Sequence, residues 1–375
     1  MPMQKPRLAL IQIALLTASL ATAQAQKTYK VAPDGTADYK TIQSAIDSNP
    51  AEGGTVLITP GSYREQVVIK QSHVTLRSAN ADPSKTIIVD DTSQGTRGTK
   101  ASYATVHVLG DDFHAENITF ENDFNRTHEQ TGSGSQAQAL NVEGDRNILK
   151  NVRILGNQDT LYIGAKRCGQ AGNLRSPAPA TGVAPGTAAP AGAPTAYAPT
   201  AAPCTPTATR SYFTHCVISG NVDFIYGDGN VVFDDCEIHS TLHDAGGYLT
   251  AQGKFRRDQD SAFVFNHCRL TAESGQKDVW LARPWRPYAT VIFMNTEMGA
   301  HILPAAWREW HPGDTHYLDT VYYAEYKSTG PGANPAARVP QSHQLTAAEA
   351  KKYETATFLA GPDKWNPEAA AKAMK

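Results

Sequence analysis

The chain lacks the patterns that most often announce a hydrolase or a metalloenzyme. No Gly-x-Ser-x-Gly turn is present, which disfavours a serine nucleophile on an α/β-hydrolase sheet. No His-Glu-x-x-His and no clustered Cys-x-x-Cys occurs, and His239 with His243, or His311 with His316, read as ordinary loop histidines. No metal and no cofactor is therefore expected. Long helices alternating with strands are missing, and a Rossmann-type fold with them. Basic side chains are not in excess: 34 Lys and Arg face 36 Asp and Glu, a formal net charge of −2. That balance argues against nucleic acid or an anionic membrane as partner. Cysteine is scarce, with five in 375 residues.

What is present begins with an export signal. Lys5 and Arg7 precede an apolar run from Leu8 to Ala21 and then Ala23-Gln24-Ala25, the small-x-small pattern of a secretory cleavage site. Residues 1–25 are expected to be removed, leaving 26–375 as the mature protein, secreted or periplasmic. The apolar run is too short to span a bilayer comfortably, and no cysteine follows it to carry a lipid, so no membrane anchor is expected. About 350 residues exceed the usual size of one compact core, but a solenoid escapes that limit because each coil buries itself against its neighbours.

A weak repeat supports a solenoid. An Asn or Cys is followed three residues later by an apolar or small residue at Asn117, Asn151, Cys216, Cys268 and Asn295. Each mark sits in a β-rich segment; Ile118 to Phe120, Ile148 to Leu155, Val217 to Ile225, Val231 to Ile238, Ala262 to Leu270 and Val291 to Met294 are such segments. Two stretches read as helices, Thr41 to Asp47 and Thr346 to Tyr353, the second opened by a capping-type Thr with Glu349 three residues on. A helix near the start would close the open first coil. Ser176 to Pro206 is almost wholly Pro, Ala, Gly and Thr and has too little apolar surface to offset ordering entropy. With its flanks it reads as a loop insertion at about 168–206.

Three short strings carry chemistry. Gly220-Asn221-Val222-Asp223-Phe224-Ile225-Tyr226-Gly227 sets a carboxylate among apolar residues, Gly156-Asn157-Gln158-Asp159-Thr160-Leu161-Tyr162 supplies a second, and Leu281-Ala282-Arg283-Pro284-Trp285 supplies a cation. An arginine keeps a neighbouring carboxylate ionised while burial favours protonation of the other, so the pair can divide nucleophile and acid roles. With Gln136-Ala137-Gln138-Ala139-Leu140, these strings resemble the four signature blocks of the pectin methylesterases, carbohydrate esterase family 8. Val31-Ala32-Pro33-Asp34-Gly35 is similar to that family's start and Leu345-Thr346-Ala347-Ala348-Glu349-Ala350 with Trp365 to its end, so the resemblance covers nearly the whole mature chain.

The resemblance implies an all-β fold, a single-stranded right-handed parallel β-helix with a short N-terminal capping helix and a C-terminal helical tail. It implies hydrolysis of galacturonate C6 methyl esters in pectin. Asp223 would be the nucleophile held by Arg283, Asp159 the acid and then base, and Gln136 and Gln158 the donors to the oxyanion. Tyr162, Tyr226 and Trp285 would contact the sugar. Two departures stand out: Ala282 replaces a usual glycine, and Tyr226 a common Phe. The expected partner is methyl-esterified pectin, met by a monomer. Cys216 and Cys236, 20 residues apart, would stack on adjacent rungs, and family members resemble this chain in that pair; a bridge there and one between Cys168 and Cys204 would leave Cys268 buried and unpaired. Asn117-Ile118-Thr119 is a formal glycosylation sequon but fits an Asn ladder better.

Competing readings remain. An inverting polygalacturonase shares the solenoid and paired aspartates, but an arginine and two glutamines suit an ester carbonyl better than a glycosidic oxygen. Thioesterase-like relatives and non-catalytic polysaccharide-binding β-helices share the fold without requiring the full set of groups. Asp90-Asp91, Asp111-Asp112 and Asp234-Asp235 resemble a lyase's calcium ligands only as paired acids at turns.

Overall fold

The computed structural model describes residues 27–100, 102–128, 134–165, 208–313 and 316–374. The expected leader, the Pro/Ala-rich stretch read as an insertion and the expected bridge between Cys168 and Cys204 lie outside these residues. All strand pairings within them are parallel, and the strands fall into three sheets. The first has 11 strands, from Thr28–Val31 to Ser342–Gln344; the second has 7, from Val67–Ile69 to Val279–Ala282; the third has 8, from Gly61–Arg64 to Glu297–Met298. Successive coils visit each sheet in turn, which makes a right-handed parallel β-helix.

The long β-rich segments of the sequence resolve into pairs of short strands separated by a sharp corner. Ile148 to Leu155 becomes Asn147–Lys150 and Arg153–Leu155, with Asn151 between them at φ 52°. Asn117, His215, Asp235, His267 and Asn295 hold the same corner with φ between 49° and 59°. Asn, Asp and His are the non-glycine residues that best tolerate this left-handed region. The repeat is thus correct at the three asparagines and one residue late at the cysteines, where His215 and His267 make the corner. Asn151 Nδ2 donates to Asn117 Oδ1 at 2.8 Å, so the sequon asparagine does join a ladder.

The expected Cys216–Cys236 disulfide is not present. Cys216, Cys236 and Cys268 are all buried free thiols, stacked one per coil just after the corner. In-register parallel strands hold neighbouring side chains about 4.8 Å apart and pointing the same way. A disulfide needs Cβ atoms about 3.8 Å apart. Each sulfur instead donates to main-chain carbonyls: Cys216 to Leu149 and Thr214, Cys236 to Phe213 and Asp234, Cys268 to Phe233 and Asn266.

The interior of the coil is a ladder of like residues. Phe213, Phe233, Phe265 and Phe293 stack at 4.5–4.9 Å between successive ring centres, followed by Trp307 and Tyr323. The outer face of the same sheet is apolar too, through Ile148, Tyr212, Val232, Val264 and Ile292, because the C-terminal tail covers it with Leu345, Ala350, Leu359 and Ala371. A strand buried on both faces reads as a continuous hydrophobic run, as these do. The helix Ile42–Asp47, capped by Thr41, packs Ile42, Ala45 and Ile46 on the first coil. Thr346 and Glu349 form the expected capping box. The expected C-terminal helical tail also contains Thr355–Phe358 and Pro367–Ala373, and Phe124–Thr127 forms a further short helix that the sequence reading does not include. Among the described residues no helix is long and apolar enough to cross a membrane.

Candidate active site

The second sheet builds the site. Asp159 stands two residues before the strand Leu161–Ile163 of that sheet, and Asp223 two residues before the strand Ile225–Gly227 on the next coil. Leu161 pairs with Ile225 and Tyr162 with Tyr226, so the two aspartates fall on adjacent rungs. The Asp159 N–H donates to the Val222 carbonyl at 3.1 Å. Both aspartates adopt left-handed backbone, φ 61° and 50°, a conformation that Asp tolerates and that lifts each side chain out of the strand direction. Gly227 is required at the far end of the second strand: its φ is +120° and a Cβ there would lie 2.1 Å from the Ile163 carbonyl oxygen.

Arg283 follows the strand Val279–Ala282, two rungs from Asp223, and reaches back to it. Nε donates to Asp223 Oδ1 at 2.8 Å and Nη2 to Oδ2 at 2.6 Å, a bidentate pair. Its guanidinium is held between two rings, 4.0 Å from the centre of Tyr248 and 4.3 Å from that of Trp310. Arg308 fixes the first ring by donating to the Tyr248 hydroxyl at 2.7 Å. Asp223 is 4% exposed, whereas Asp159 keeps an opening to the cleft. Burial pushes the Asp159 carboxyl well above the usual carboxylate range, and the neighbouring Asp223 pushes it further. Burial also raises Asp223, but there the two Arg283 hydrogen bonds and charge oppose it. The two carboxyls therefore differ in kind: one is paired with a cation and the other is not.

The remaining residues expected from the sequence gather around this pair. The Ala137 N–H donates to the Gln158 carbonyl at 3.2 Å, which brings the Gln136 and Gln158 segments together on adjacent coils. Gln136 Oε1 is buried without a partner among the described residues, an uncompensated polar atom of the kind that functional sites retain. Tyr162, Tyr226 and Trp285 form one apolar cluster with Ala251 and Trp310; Tyr162 and Tyr226 lie 5.0 Å apart and Trp285 meets Tyr226 edge-on at 5.9 Å. Gly253 makes room for the indole, since a Cβ there would fall 2.8 Å from Trp285 Cε3.

Four neighbours escaped the sequence reading: Tyr103, Gln138, Tyr248 and Trp310. Gln138 stands two residues after Gln136 in the same motif, where residue type does not tell the two glutamines apart; the other three lie outside the four motifs and come to the cleft only through the register of coils. The paired acids set aside as lyase-type ligands are engaged elsewhere. Arg146 grips Asp112 at 2.7 Å through both Nε and Nη2, and Tyr212 donates to Asp234 at 2.8 Å. Among the described residues, no three His, Cys, Asp or Glu side chains are grouped as metal ligands.

Fold and cleft together define a class: parallel β-helix proteins with two stacked aspartates, an arginine on one of them, and an aromatic groove alongside. The pectinesterase family model matches residues 28–169 and 205–362, and the chain belongs to the pectinesterase family. Putative pectinesterase 14 of Arabidopsis thaliana is 31% identical over 342 residues, covering 89% of this chain and 87% of its own length. Probable pectinesterase/pectinesterase inhibitor 64 of the same plant is 31% identical over 350 residues, covering 87% of this chain but 49% of its own. The chain thus spans about half the length of such two-part relatives. Among solved structures, the pectin methylesterase from carrot superposes with a TM-score of 0.73 at 28% identity, over 95% of this chain and 98% of that one. A pectin methylesterase from Erwinia chrysanthemi gives 0.68 at 27% identity, over 92% and 99%.

Proposed function

We propose that the protein removes methyl groups from pectin, hydrolysing galacturonate C6 methyl esters to methanol and a carboxylate. The observation that carries this reading is the asymmetric pair: Asp223 bidentate on Arg283, and Asp159 raised and open to the cleft. Asp223, kept ionised by Arg283, attacks the ester carbonyl carbon. The oxyanion that forms is met by side-chain N–H groups of Gln136 and Gln158, each worth about 2.7–4 kcal/mol of transition-state stabilisation in comparable sites. Collapse breaks the bond to the methoxy oxygen, Asp159 gives that oxygen its proton, and methanol leaves. A mixed anhydride with Asp223 remains. Asp159, now a carboxylate, takes a proton from water as the hydroxide attacks the anhydride, which returns Asp223 as a carboxylate and Asp159 as an acid. Tyr162, Tyr226 and Trp285 offer ring surface to the sugar.

Two facts favour this over a polygalacturonase. Asp159 and Asp223 stand at matching corners of adjacent coils, linked by the Asp159 N–H to the Val222 carbonyl, whereas an inverting glycosidase spaces its carboxyls about 6.5–9.5 Å apart to admit a water. Arg283 also occupies both oxygens of Asp223, which suits a nucleophile better than a general base. One solved relative, 27% identical, is a pectin methylesterase in complex with a hexasaccharide, which supports an oligosaccharide along this groove. A wall polysaccharide is met outside the cytoplasm, in keeping with the leader expected at residues 1–25 and a secreted or periplasmic location. The test is to incubate the protein with highly methylated pectin and assay methanol and reducing ends together. Methanol without new reducing ends is expected; reducing ends without methanol would overturn the reading.

A further inference from the structure

The loop that follows Trp285 leads from the aromatic groove to a recess of about 280 Å³ that the reaction above does not use. Its lining includes Lys254, Arg257, Tyr288, Thr290, Asp319 and Thr320. Gln252, fully buried, builds one wall: its Oε1 accepts from the Lys254 N–H at 3.0 Å and from the Thr290 N–H at 2.9 Å. Gly253 lies against the Trp285 indole, and the Lys254 carbonyl accepts from the Tyr288 N–H at 3.0 Å. Residues 252–254 therefore touch the groove at Trp285 and wall the recess at Lys254. The volume is small for a ligand pocket and suits a single sugar unit rather than a length of chain.

The charges of the recess do not balance. Lys254 is partly buried, and the Arg257 guanidinium lies over the Tyr288 ring, 5.6 Å from its centre. Among the described residues neither side chain donates a hydrogen bond to the protein or meets a carboxylate within 4.0 Å, whereas Arg256 between them closes on Asp258 at 2.9 and 2.5 Å. The threonine hydroxyls are spent on the main chain: Thr290 donates to the Tyr288 carbonyl at 3.2 Å, and Thr320 to those of Pro287 and Tyr317. The lining holds one carboxylate, Asp319, which accepts from Gln341 Nε2 at 3.3 Å. Asp260 also acts on Lys254, from outside the lining. Two cations without ion pairs thus face one carboxylate, and the recess is net positive.

We infer that this recess is a subsite for the carboxylate of a galacturonate unit that has already lost its methyl group, on the same pectin chain whose reacting unit lies at Asp223. This rests on the esterase reading above. A methyl ester offers no charge to Lys254 and Arg257, but the unit left by hydrolysis does, and hydrogen bonds between a cation and a carboxylate are the strong ones. Arg257 supplies a planar fork and Lys254 a mobile ammonium, and the Tyr288 ring beside them offers a face to the sugar. A partly de-esterified chain is then held at two places, the groove and the recess, where a fully methylated chain is held at one. Each methanol released makes the chain a better ligand for the recess, so the protein is drawn to ester groups that stand near carboxylates. The cations are reached by solvent, so salt weakens the attraction.

The experiment titrates the full chain with fully de-esterified oligogalacturonate by calorimetry at low and high salt. It compares wild type with Lys254→Gln/Arg257→Gln, with the charge-keeping Lys254→Arg/Arg257→Lys, and with Asp319→Asn. The double glutamine variant is expected to bind about tenfold more weakly at low salt and to lose most of its salt dependence. Its KM for methanol release is expected to rise more on partly methylated pectin than on highly methylated pectin. The charge-keeping variant is expected to bind within about twofold of wild type, and Asp319→Asn about twofold more tightly. Unchanged binding by the double glutamine variant, or an equal loss in the charge-keeping variant, would overturn the proposal. Galacturonate monomer binding as tightly as the oligomer would also overturn it, since the recess would then be a site for free uronate. If the wild type releases no methanol while oligogalacturonate binding still depends on Lys254 and Arg257, the esterase reading fails and the carboxylate subsite stands.

Discussion

Two of the bidentate arginine–carboxylate pairs among the described residues, Arg338 with Glu325 and Arg283 with Asp223, are built differently. Arg338 and Glu325 are 2% and 1% exposed in their side chains. Arg338 donates to Glu325 at 2.6 and 3.0 Å and also to the carbonyls of Pro304 and Gly332 at 2.9 and 2.8 Å, so the cation meets four oxygens. Arg283 and Asp223 are 19% and 6% exposed. Among the described residues Arg283 spends its hydrogen bonds on Asp223 alone, and ring faces cover the rest of it. Beside it lies a second carboxyl with no cation of its own. The saturated pair ties the last strands to the loops at Pro304 and Gly332. The unsaturated pair at the cleft, next to a carboxyl raised by burial, is the one on which the proposed chemistry draws.

The largest way to break this contrast is Asp223→Ala. Methanol release is expected to fall about 10⁴-fold or more, as when a nucleophile is removed from other hydrolases, with cooperative unfolding retained. Next is Arg338→Ala, which strands the buried Glu325 charge and is expected to cost about 3–5 kcal/mol, read from urea unfolding, with kcat per folded molecule unchanged. Gln158→Ala is expected to lower kcat about 10²- to 10³-fold with little change in the unfolding midpoint; a rise in KM alone would move Gln158 from the oxyanion to substrate binding.

The smallest effect sharpens the comparison through pH. The folded protein holds the Asp159 proton to higher pH than the unfolded chain does, since its carboxyl is raised. Between the unfolded and folded values the unfolded state has lost a proton that the native state keeps. Stability therefore falls as pH rises through that window and then levels off. Asp159→Asn removes the term, so its unfolding free energy is expected to fall less steeply with pH and to exceed that of the wild type at neutral pH, while activity is lost. A wild type and variant with parallel stability profiles would show that Asp159 titrates normally.

Sequence made some of this legible and not the rest. Asp223, Asp159 and Arg283 each stand in a string whose residue types already pose a chemical question. Residue type alone does not separate Asp223 from Asp228, five positions on and also buried. The structure does: Asp228 accepts from the Ala165 N–H and from Gln259 Nε2, whereas Asp223 takes both hydrogen bonds of Arg283. Tyr248 and Trp310 were invisible because their place on Arg283 depends on which coil lies over which. The cysteines misled for a related reason, since stacking distance along a solenoid is a rung spacing and not a disulfide geometry. The final helix had a readable start, Asn366 as cap and Pro367 in the first turn, in an alanine-rich stretch that periodicity did not flag.

The most direct test of the central claim measures methanol release and the urea midpoint on the same preparations of wild type, Asp223→Ala and Arg338→Ala. The account expects a crossover: Asp223→Ala folded and inactive, Arg338→Ala weakened and, where folded, fully active. Asp223→Ala retaining a tenth or more of the wild-type rate, or folded Arg338→Ala losing activity to the same degree, would contradict it.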